Sequence, residues 1–192
     1  MNNEVKSILL VGVGGEGVIR ASDILSSVML KAGYDVKKSE VHGMAQRGGC
    51  VSSHVRFGKK VFSPLTKKGD VDILVSFEKM ETLRYLEYLK PEGKVIINNN
   101  EVFPPSVNLG EENYPEDSLD IVNTCFADVK VVDASEMARK AGNVRMANTI
   151  VLGLLSTYID VAASIWEEVL GDSFQEKIIS GNLAAFKLGS NA

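Results

Sequence analysis

The glycine-rich segment near the N-terminus has the spacing that most directly suggests chemistry. Gly12, Gly14 and Gly17 form a Gly-x-Gly-x-x-Gly pattern between an apolar run, residues 5–11, and a helically spaced apolar segment, residues 18–32. In such a strand–turn–helix unit the first glycine permits a tight turn, the second lets backbone approach a phosphate, and the third lets helix and strand pack closely. The helix N-terminus would then present free N–H groups to an anion.

Two acidic residues argue against an ordinary dinucleotide site. Glu16 places a carboxylate within the loop, where it would repel a pyrophosphate, and Glu40 is a poor match for the acid that binds a ribose after the second strand. Three interpretations of the loop stay open. It binds NAD or FAD, it binds another phosphate-bearing ligand such as coenzyme A, or it is purely structural.

The segment from residue 40 to residue 49 is predicted to be a loop that lies against a ligand or another chain, because it is too rich in glycine and polar residues to form a core. Its candidate functional residues are His42, Gln46, Arg47, Gly48 and Gly49. Arg47 offers a bidentate donor for a carboxylate or phosphate. His42 is either a contributor to substrate chemistry or a structural residue, since no metal-ligand set accompanies it.

The two cysteines, Cys50 and Cys125, exclude a disulfide framework and an iron–sulfur cluster held by this chain alone. We expect Cys50 to be a buried, inert thiol and the protein to be cytoplasmic. No serine-hydrolase, zinc-protease or Walker motif occurs, and no metal site is expected. The longest apolar stretch, residues 150–155, is far too short for a membrane span.

Charge is distributed unevenly along the chain. The net charge of −4 gives no reason to expect nucleic-acid binding. However, residues 31–68 contain nine Lys or Arg and two Asp or Glu, whereas residues 101–136 contain one Lys and nine Asp or Glu. These segments are either two solvated regions or a basic surface that binds phosphates or an acidic partner.

The elements that must position these residues alternate between strands and helices. Further strands are expected at residues 34–39, 71–77, 94–97 and 129–132, a β-hairpin at 51–62, and helices at 78–89 and 117–126. From about residue 146 only helices are expected, with breaks at Gly171 and Gly181. The pattern predicts a single Rossmann-like α/β domain, residues 1–192, with a mostly parallel sheet, helices on both faces and a C-terminal helical extension.

Three segments of the chain resemble a known family of proteins. The segments Gly-Val-Gly-Gly-Glu-Gly at 12–17, Val-His-Gly-Met-Ala-Gln-Arg-Gly-Gly at 41–49 and Ser-His-Val-Arg-Phe-Gly at 53–58 are similar to the gamma-type subunits of 2-oxoacid:ferredoxin oxidoreductases. The segments at 63–65, 72–78 and 83–86 extend the match. Residues 104–107 and 114–115 resemble in particular the beta subunit of indolepyruvate:ferredoxin oxidoreductase. The resemblance covers most of the chain up to about residue 155.

The resemblance implies that this chain is the non-thiamine subunit of a complex that decarboxylates a 2-oxo acid, an aryl pyruvate, to an acyl-CoA. A large partner would bind thiamine diphosphate and iron–sulfur clusters and pass electrons to ferredoxin, while the isolated chain would be inactive. The resemblance further implies that one loop faces the active-site chains and that both loops are candidate contacts for coenzyme A. The candidate cofactor contacts are Gly12, Gly14, Gly15 and Gly17 in the glycine loop, and Gln46, Arg47, Gly48 and Gly49 in the second loop. His42 and Arg47 are also candidate contributors to catalysis.

Rival interpretations are a free-standing dinucleotide-binding oxidoreductase, an adenylating enzyme and a scaffold that binds no ligand. An adenylating enzyme would show an acidic strand end and a Ser-Asn-Leu-x-Arg-Gln-like run after the second strand, and neither follows Val36.

Overall fold

A mixed β-sheet forms the centre of the molecule in the computed structural model, which describes residues 4–43 and 49–192. Six strands are described: β1 (Lys6–Val13), β2 (Asp35–His42), β3 (Cys50–Gly58), β4 (Val71–Ser76), β5 (Leu89–Asn98) and β6 (Asp128–Val132). They are ordered β2-β3-β1-β4-β5-β6. β3 runs antiparallel to β1 and β2, while β1, β4, β5 and β6 are parallel. The predicted, mostly parallel sheet is confirmed.

Helices cover both faces of this sheet because the side chains of its strands alternate between two cores. The described helices are α1 (Val18–Lys31), α2 (Lys79–Tyr85), α3 (Pro105–Asn108), α4 (Ser118–Cys125), α5 (Ala134–Lys140), α6 (Ala147–Ser156), α7 (Ala163–Ser173) and α8 (Glu176–Ser190). Ile8 and Leu10 of β1 join the core that α1, α5, α6, α7 and α8 share, whereas Leu9 and Val11 join the core beneath α2 and α4. None of the described helices is long and apolar enough to cross a membrane.

The predicted hairpin at 51–62 is wrong, because β3 ends at Gly58 and no strand forms at 61–62. Side chains of neighbouring strands hold this backbone instead: the Val61 N–H donates to the Asp35 carboxylate at 2.8 Å. The Arg56 guanidinium donates to the Ser63 and Leu65 carbonyls at 3.1 Å. The antiparallel partner that precedes β3 is β2, which continues to His42, so the predicted loop starts after residue 42 rather than at 40.

The C-terminal helices pack on the sheet, and the predicted breaks at Gly171 and Gly181 are wrong, since both residues lie inside helices. Two other glycines bring α6 and α8 together. A Cβ on Gly153 would lie 2.1 Å from the Phe186 carbonyl oxygen, and one on Gly189 would lie 1.8 Å from that of Ile150. Because no side chain fits between the backbones, these glycines set the close crossing of the two helices.

Candidate functional site

The glycine loop joins β1 to α1 at the carboxyl edge of the parallel strands, in the strand–turn–helix context that its sequence predicts. Gly17 has a φ of +84°, and a Cβ there would lie 2.5 Å from the Asn148 amide nitrogen of α6. A Cβ on Gly12 would lie 2.9 Å from the Phe77 Cβ. Packing therefore requires glycine at position 12, whereas at position 17 the left-handed backbone favours glycine and Asn148 adds a close contact. The exposed Gly15, at φ +111°, has no heavy atom within 4 Å of such a Cβ.

The two predicted functional segments touch each other at this loop. The Gly14 N–H donates to the Gly49 carbonyl at 2.9 Å, so the N–H assigned to phosphate approach already has a partner. Gly49 is half-buried beside Cys50, which is half-buried rather than buried as predicted. The remaining candidates of this segment, Gln46, Arg47 and Gly48, lie outside the described residues.

Glu16 folds its carboxylate back into the glycine loop. Its Oε2 accepts the Val13 N–H at 2.7 Å, and its Oε1 accepts the Asn100 side-chain amide at 2.8 Å. Burial raises the pKa of this carboxyl from 4.5 to about 7, and the nearby Glu78 and Glu81 carboxylates add to the rise. An internal acceptor thus occupies the inside of the loop, where a bound phosphate would otherwise seek N–H donors.

The second acidic residue is also badly placed for a ribose. Because β3 is inserted between β1 and β2, the end of β2 lies two strand spacings, about 10 Å, from β1. Glu40 on β2 instead accepts the Lys38 ammonium at 2.6 Å. Both features disfavour NAD or FAD in the arrangement of an ordinary dinucleotide-binding fold.

A buried polar cluster next to Glu16 was missed by the sequence prediction. Glu78 is fully buried and caps α2: one carboxylate oxygen accepts the Glu81 N–H at 2.8 Å, and the other accepts the Val102 N–H at 3.2 Å and the Tyr114 hydroxyl. Burial and the Glu78 carboxylate raise the pKa of Tyr114. Burial also raises the pKa of Glu81, although Arg84 opposes this rise. The available signal was an acid directly after a buried strand and before a helix.

An open cleft of about 450 Å³ lies on one side of the glycine loop, and we call it the carboxyl-edge cleft. It lies between β1 and β4, whose following helices, α1 and α2, pack on opposite faces of the sheet. Such a point is called a topological switch point, and α/β sheets usually bind ligands there. Asn98 shapes its floor by donating to the Phe77 carbonyl and Ser135 hydroxyl at 3.2 Å. The rim carries two guanidinium groups. The lining residues are Gly15, Glu16, Gly17, Phe77, Asn98, Asn100, Ser135, Arg139, Val144, Arg145, Ala147 and Asn148.

His42 lies on the opposite side of the glycine loop, in a second cleft of about 450 Å³ with Arg20 and Asp23. It is exposed, and its Nε2 is 3.9 Å from the Glu40 carboxylate. His54 is buried on β3, and burial together with the Arg56 charge lowers its pKa, which fits a structural residue. Among the described residues, no group of three or more His, Cys, Asp or Glu side chains could hold a metal ion.

Comparison with known proteins identifies relatives along almost the whole chain. The family model described as "Pyruvate ferredoxin/flavodoxin oxidoreductase" matches residues 7–192. Indolepyruvate oxidoreductase subunit IorB of Archaeoglobus fulgidus is 39% identical over 189 residues, covering 96% of this chain and 94% of that protein. IorB of Pyrococcus horikoshii is 38% identical over 191 residues, covering 97% and 95%. The pyruvate/ketoisovalerate oxidoreductases common subunit gamma of Thermococcus litoralis is 26% identical over 178 residues, covering 91% and 89%.

Solved structures share the fold. The gamma subunit of the keto/oxoacid ferredoxin oxidoreductase from Geobacter sulfurreducens has a TM-score of 0.72 at 21% identity and covers 97% of this chain and 96% of its own. The 2-oxoglutarate:ferredoxin oxidoreductase from Magnetococcus marinus, solved with 2-oxoglutarate, coenzyme A and succinyl-CoA bound, has a TM-score of 0.77 at 22% identity. That match covers 99% of this chain but 31% of the larger chain.

Proposed function

Because the chain belongs to the pyruvate ferredoxin/flavodoxin oxidoreductase family, we propose that it is the non-thiamine subunit of an indolepyruvate, or aryl pyruvate, ferredoxin oxidoreductase. The complex oxidatively decarboxylates the 2-oxo acid to an acyl-CoA. A large partner subunit binds thiamine diphosphate and iron–sulfur clusters and passes the electrons to ferredoxin. The observation that carries this proposal is the near-full-length similarity to IorB subunits, at 39% identity for Archaeoglobus fulgidus.

The geometry of the glycine loop supports a subunit role over a free-standing dinucleotide enzyme. The Val13 and Gly14 N–H groups are bonded to Glu16 and Gly49, and β3 displaces the end of β2 from the loop. The loop therefore acts as a rigid corner that fixes the start of α1 and holds Gly49 at the start of β3. In the complex, the residue 42–49 segment with His42 and Arg47 faces the catalytic chain.

Within the proposed complex, the side chains of this chain contribute to binding coenzyme A. The carboxyl-edge cleft fits an anionic group because its rim carries Arg145 and Arg139, with the Ser135 hydroxyl and the Asn148 amide beside them. Arg139 also pairs with the Glu136 carboxylate, so Arg145 is the main candidate. Guanidinium groups bind phosphate oxygens through charge-assisted hydrogen bonds. We assign a phosphate of coenzyme A to this rim, with the exposed Gly15 backbone next to it, and the packing roles to Gly12 and Gly17.

Co-expression tests the proposal. The chain should copurify with a large thiamine diphosphate and iron–sulfur subunit as a brown complex that reduces ferredoxin when supplied with indolepyruvate and coenzyme A. The isolated chain should be colourless and inactive with the same substrates. Turnover by the isolated chain, or failure to bind the large subunit, would contradict the proposal.

A further inference from the structure

A basic, apolar-tipped segment at the amino edge of the sheet has no role in the proposed function. Residues 59–68, which we call the basic finger, connect β3 to β4. Phe62 is 89% exposed and Leu65 is 61% exposed. The lysines of the finger are Lys59, Lys60, Lys67 and Lys68. An exposed aromatic side chain with a second exposed apolar residue nearby is the kind of group that anchors protein interfaces.

The finger is held in place by the rest of the fold. The Asp35 carboxylate accepts the Val61 N–H at 2.8 Å, and the Arg56 guanidinium donates to two finger carbonyls at 3.1 Å. At its base, the Gly69 N–H donates to the Glu87 carbonyl at 2.9 Å. Since the backbone is ordered before any partner arrives, binding through Phe62 loses little conformational entropy.

An acidic groove has the complementary chemistry. It has a volume of about 650 Å³, and its lining includes the rings of Phe103 and Tyr114, whose centroids are 5.1 Å apart. Its exposed acids are Glu112, Glu116 and Asp117. The acids on the rim of the groove are complementary in charge to the lysines of the finger.

The base of the finger and the groove lie at the two ends of the same helix. The base of the finger bonds to the turn that follows α2, because the Asp70 N–H donates to the Tyr88 carbonyl at 3.0 Å. The groove lies at the start of α2, where the Met80 N–H donates to the Tyr114 hydroxyl at 3.2 Å. Residues 79–88 span about 16 Å at helical rises. In two antiparallel copies of α2, the base of each finger would therefore lie at the helix end that carries the groove of the other copy.

We propose that two copies of this chain associate about a two-fold axis across α2, with Phe62 of each copy in the acidic groove of the other. The lysines of each finger face Glu112 and Glu116 of the second copy. Such a pair uses the same two surfaces on both subunits and closes on itself. The proposal is independent of the substrate and the large subunit.

Sedimentation equilibrium of the full chain tests the pair. The wild type should form dimers at protein concentrations of up to about 100 μM in about 0.05 M salt. The dimer should be weaker in about 0.5 M salt, because salt screens the charges on the two rims. Phe62→Ser should weaken dimerisation at least about 30-fold, as expected for loss of a central aromatic anchor. Lys59→Glu with Lys60→Glu should weaken it by a similar factor through like-charge contacts.

Charge exchange makes the test specific to these two surfaces. Adding Glu112→Lys and Glu116→Lys to the Lys59→Glu, Lys60→Glu variant should restore the dimer, since the charges at these positions are then exchanged between the two surfaces. The matched control, Lys130→Glu with Lys177→Glu, makes the same charge change at exposed sites outside both surfaces and should dimerise like the wild type. Circular dichroism verifies that each variant is folded.

A wild type that stays monomeric throughout, or a reversed variant that fails to recover, overturns the proposal. Binding of the large subunit by Phe62→Ser provides a separate readout. If the chain is monomeric and this variant loses the large subunit, the finger docks on that subunit and the paired-copy proposal is wrong. If dimerisation is lost but indolepyruvate-dependent activity of the complex persists, both proposals stand.

Discussion

Glu16→Gln should change how the stability of the protein depends on pH. The folded protein binds the Glu16 proton more tightly than the unfolded chain does, because burial raises the pKa from 4.5 to about 7. Stability contributed by this carboxyl is therefore fully present below pH 4.5 and is lost as the pH rises through about 7. The pKa rise corresponds to about 3 kcal/mol, and the opening of the residue to the cleft reduces this to about 2 kcal/mol.

The glutamine keeps an oxygen for the Val13 N–H and, after rotation of the Asn100 amide, a hydrogen bond to that side chain. It has no charge to desolvate at any pH. We therefore expect Glu16→Gln to match the wild type at about pH 5 and to exceed its free energy of unfolding by about 2 kcal/mol at about pH 8. Urea titrations followed by fluorescence of Trp166, the single tryptophan and 1% exposed, measure this difference.

The exposed Glu92 provides the control, because Glu92→Gln removes one carboxylate without changing a buried contact. Its difference from the wild type should stay within about 0.5 kcal/mol across the same pH range. A Glu16→Gln difference that is constant with pH, or a variant less stable than the wild type at pH 8, would refute the assignment of a buried, proton-linked carboxyl.

Other predictions concern packing, coenzyme A and dinucleotides. Gly17→Ala should lower the free energy of unfolding, measured in urea, by about 2–4 kcal/mol, because alanine is strained at this positive φ and its Cβ would also contact Asn148. Gly69→Ala, at φ +75° with no neighbouring atom, should lower it by only about 1 kcal/mol. Equal losses would contradict the packing role. Arg145→Ala should raise the KM for coenzyme A roughly tenfold with little change in kcat, while Lys177→Ala should leave both unchanged. An unchanged KM would exclude Arg145 from the site. Calorimetry of the isolated chain with NAD or FAD should show no tight binding, and a sub-micromolar Kd would revive the dinucleotide interpretation.

The parts of the fold that depend on short-range sequence were predictable. The apolar run of β1, the glycine spacing and the helical spacing after Val18 lie within one continuous segment, and the observed strand, loop and helix follow them. The same holds for α4, predicted at 117–126 and observed at Ser118–Cys125. In these segments, local propensity and burial favour the same structure.

The sequence-based predictions were wrong or incomplete where side chains from other parts of the chain determine the backbone conformation or complete a cluster. Val61 and Phe62 have the composition of a strand, but Asp35 and Arg56 hold the segment in another conformation. The contacts of Glu16 and of the buried polar cluster beside it were missed for the same reason, since, for example, Asn100 and Glu16 are 84 residues apart in the chain. A helix-capping acid after β4 could have been suspected from sequence, but its contact with Tyr114 could not.

The glycine loop shows how one inserted strand changes the meaning of a motif. In a dinucleotide-binding sheet, the strand after the first helix lies beside the first strand and brings its acid to the loop. Here β3 occupies that position, and its first residues pair with Val13 and Gly12 at the loop itself. The Gly49 carbonyl just before β3 can therefore bind the Gly14 N–H, while Glu16 binds the Val13 N–H from inside. The motif that elsewhere binds a phosphate here joins three segments of the chain, and we therefore assign the proposed anion contact to the arginine rim of the carboxyl-edge cleft.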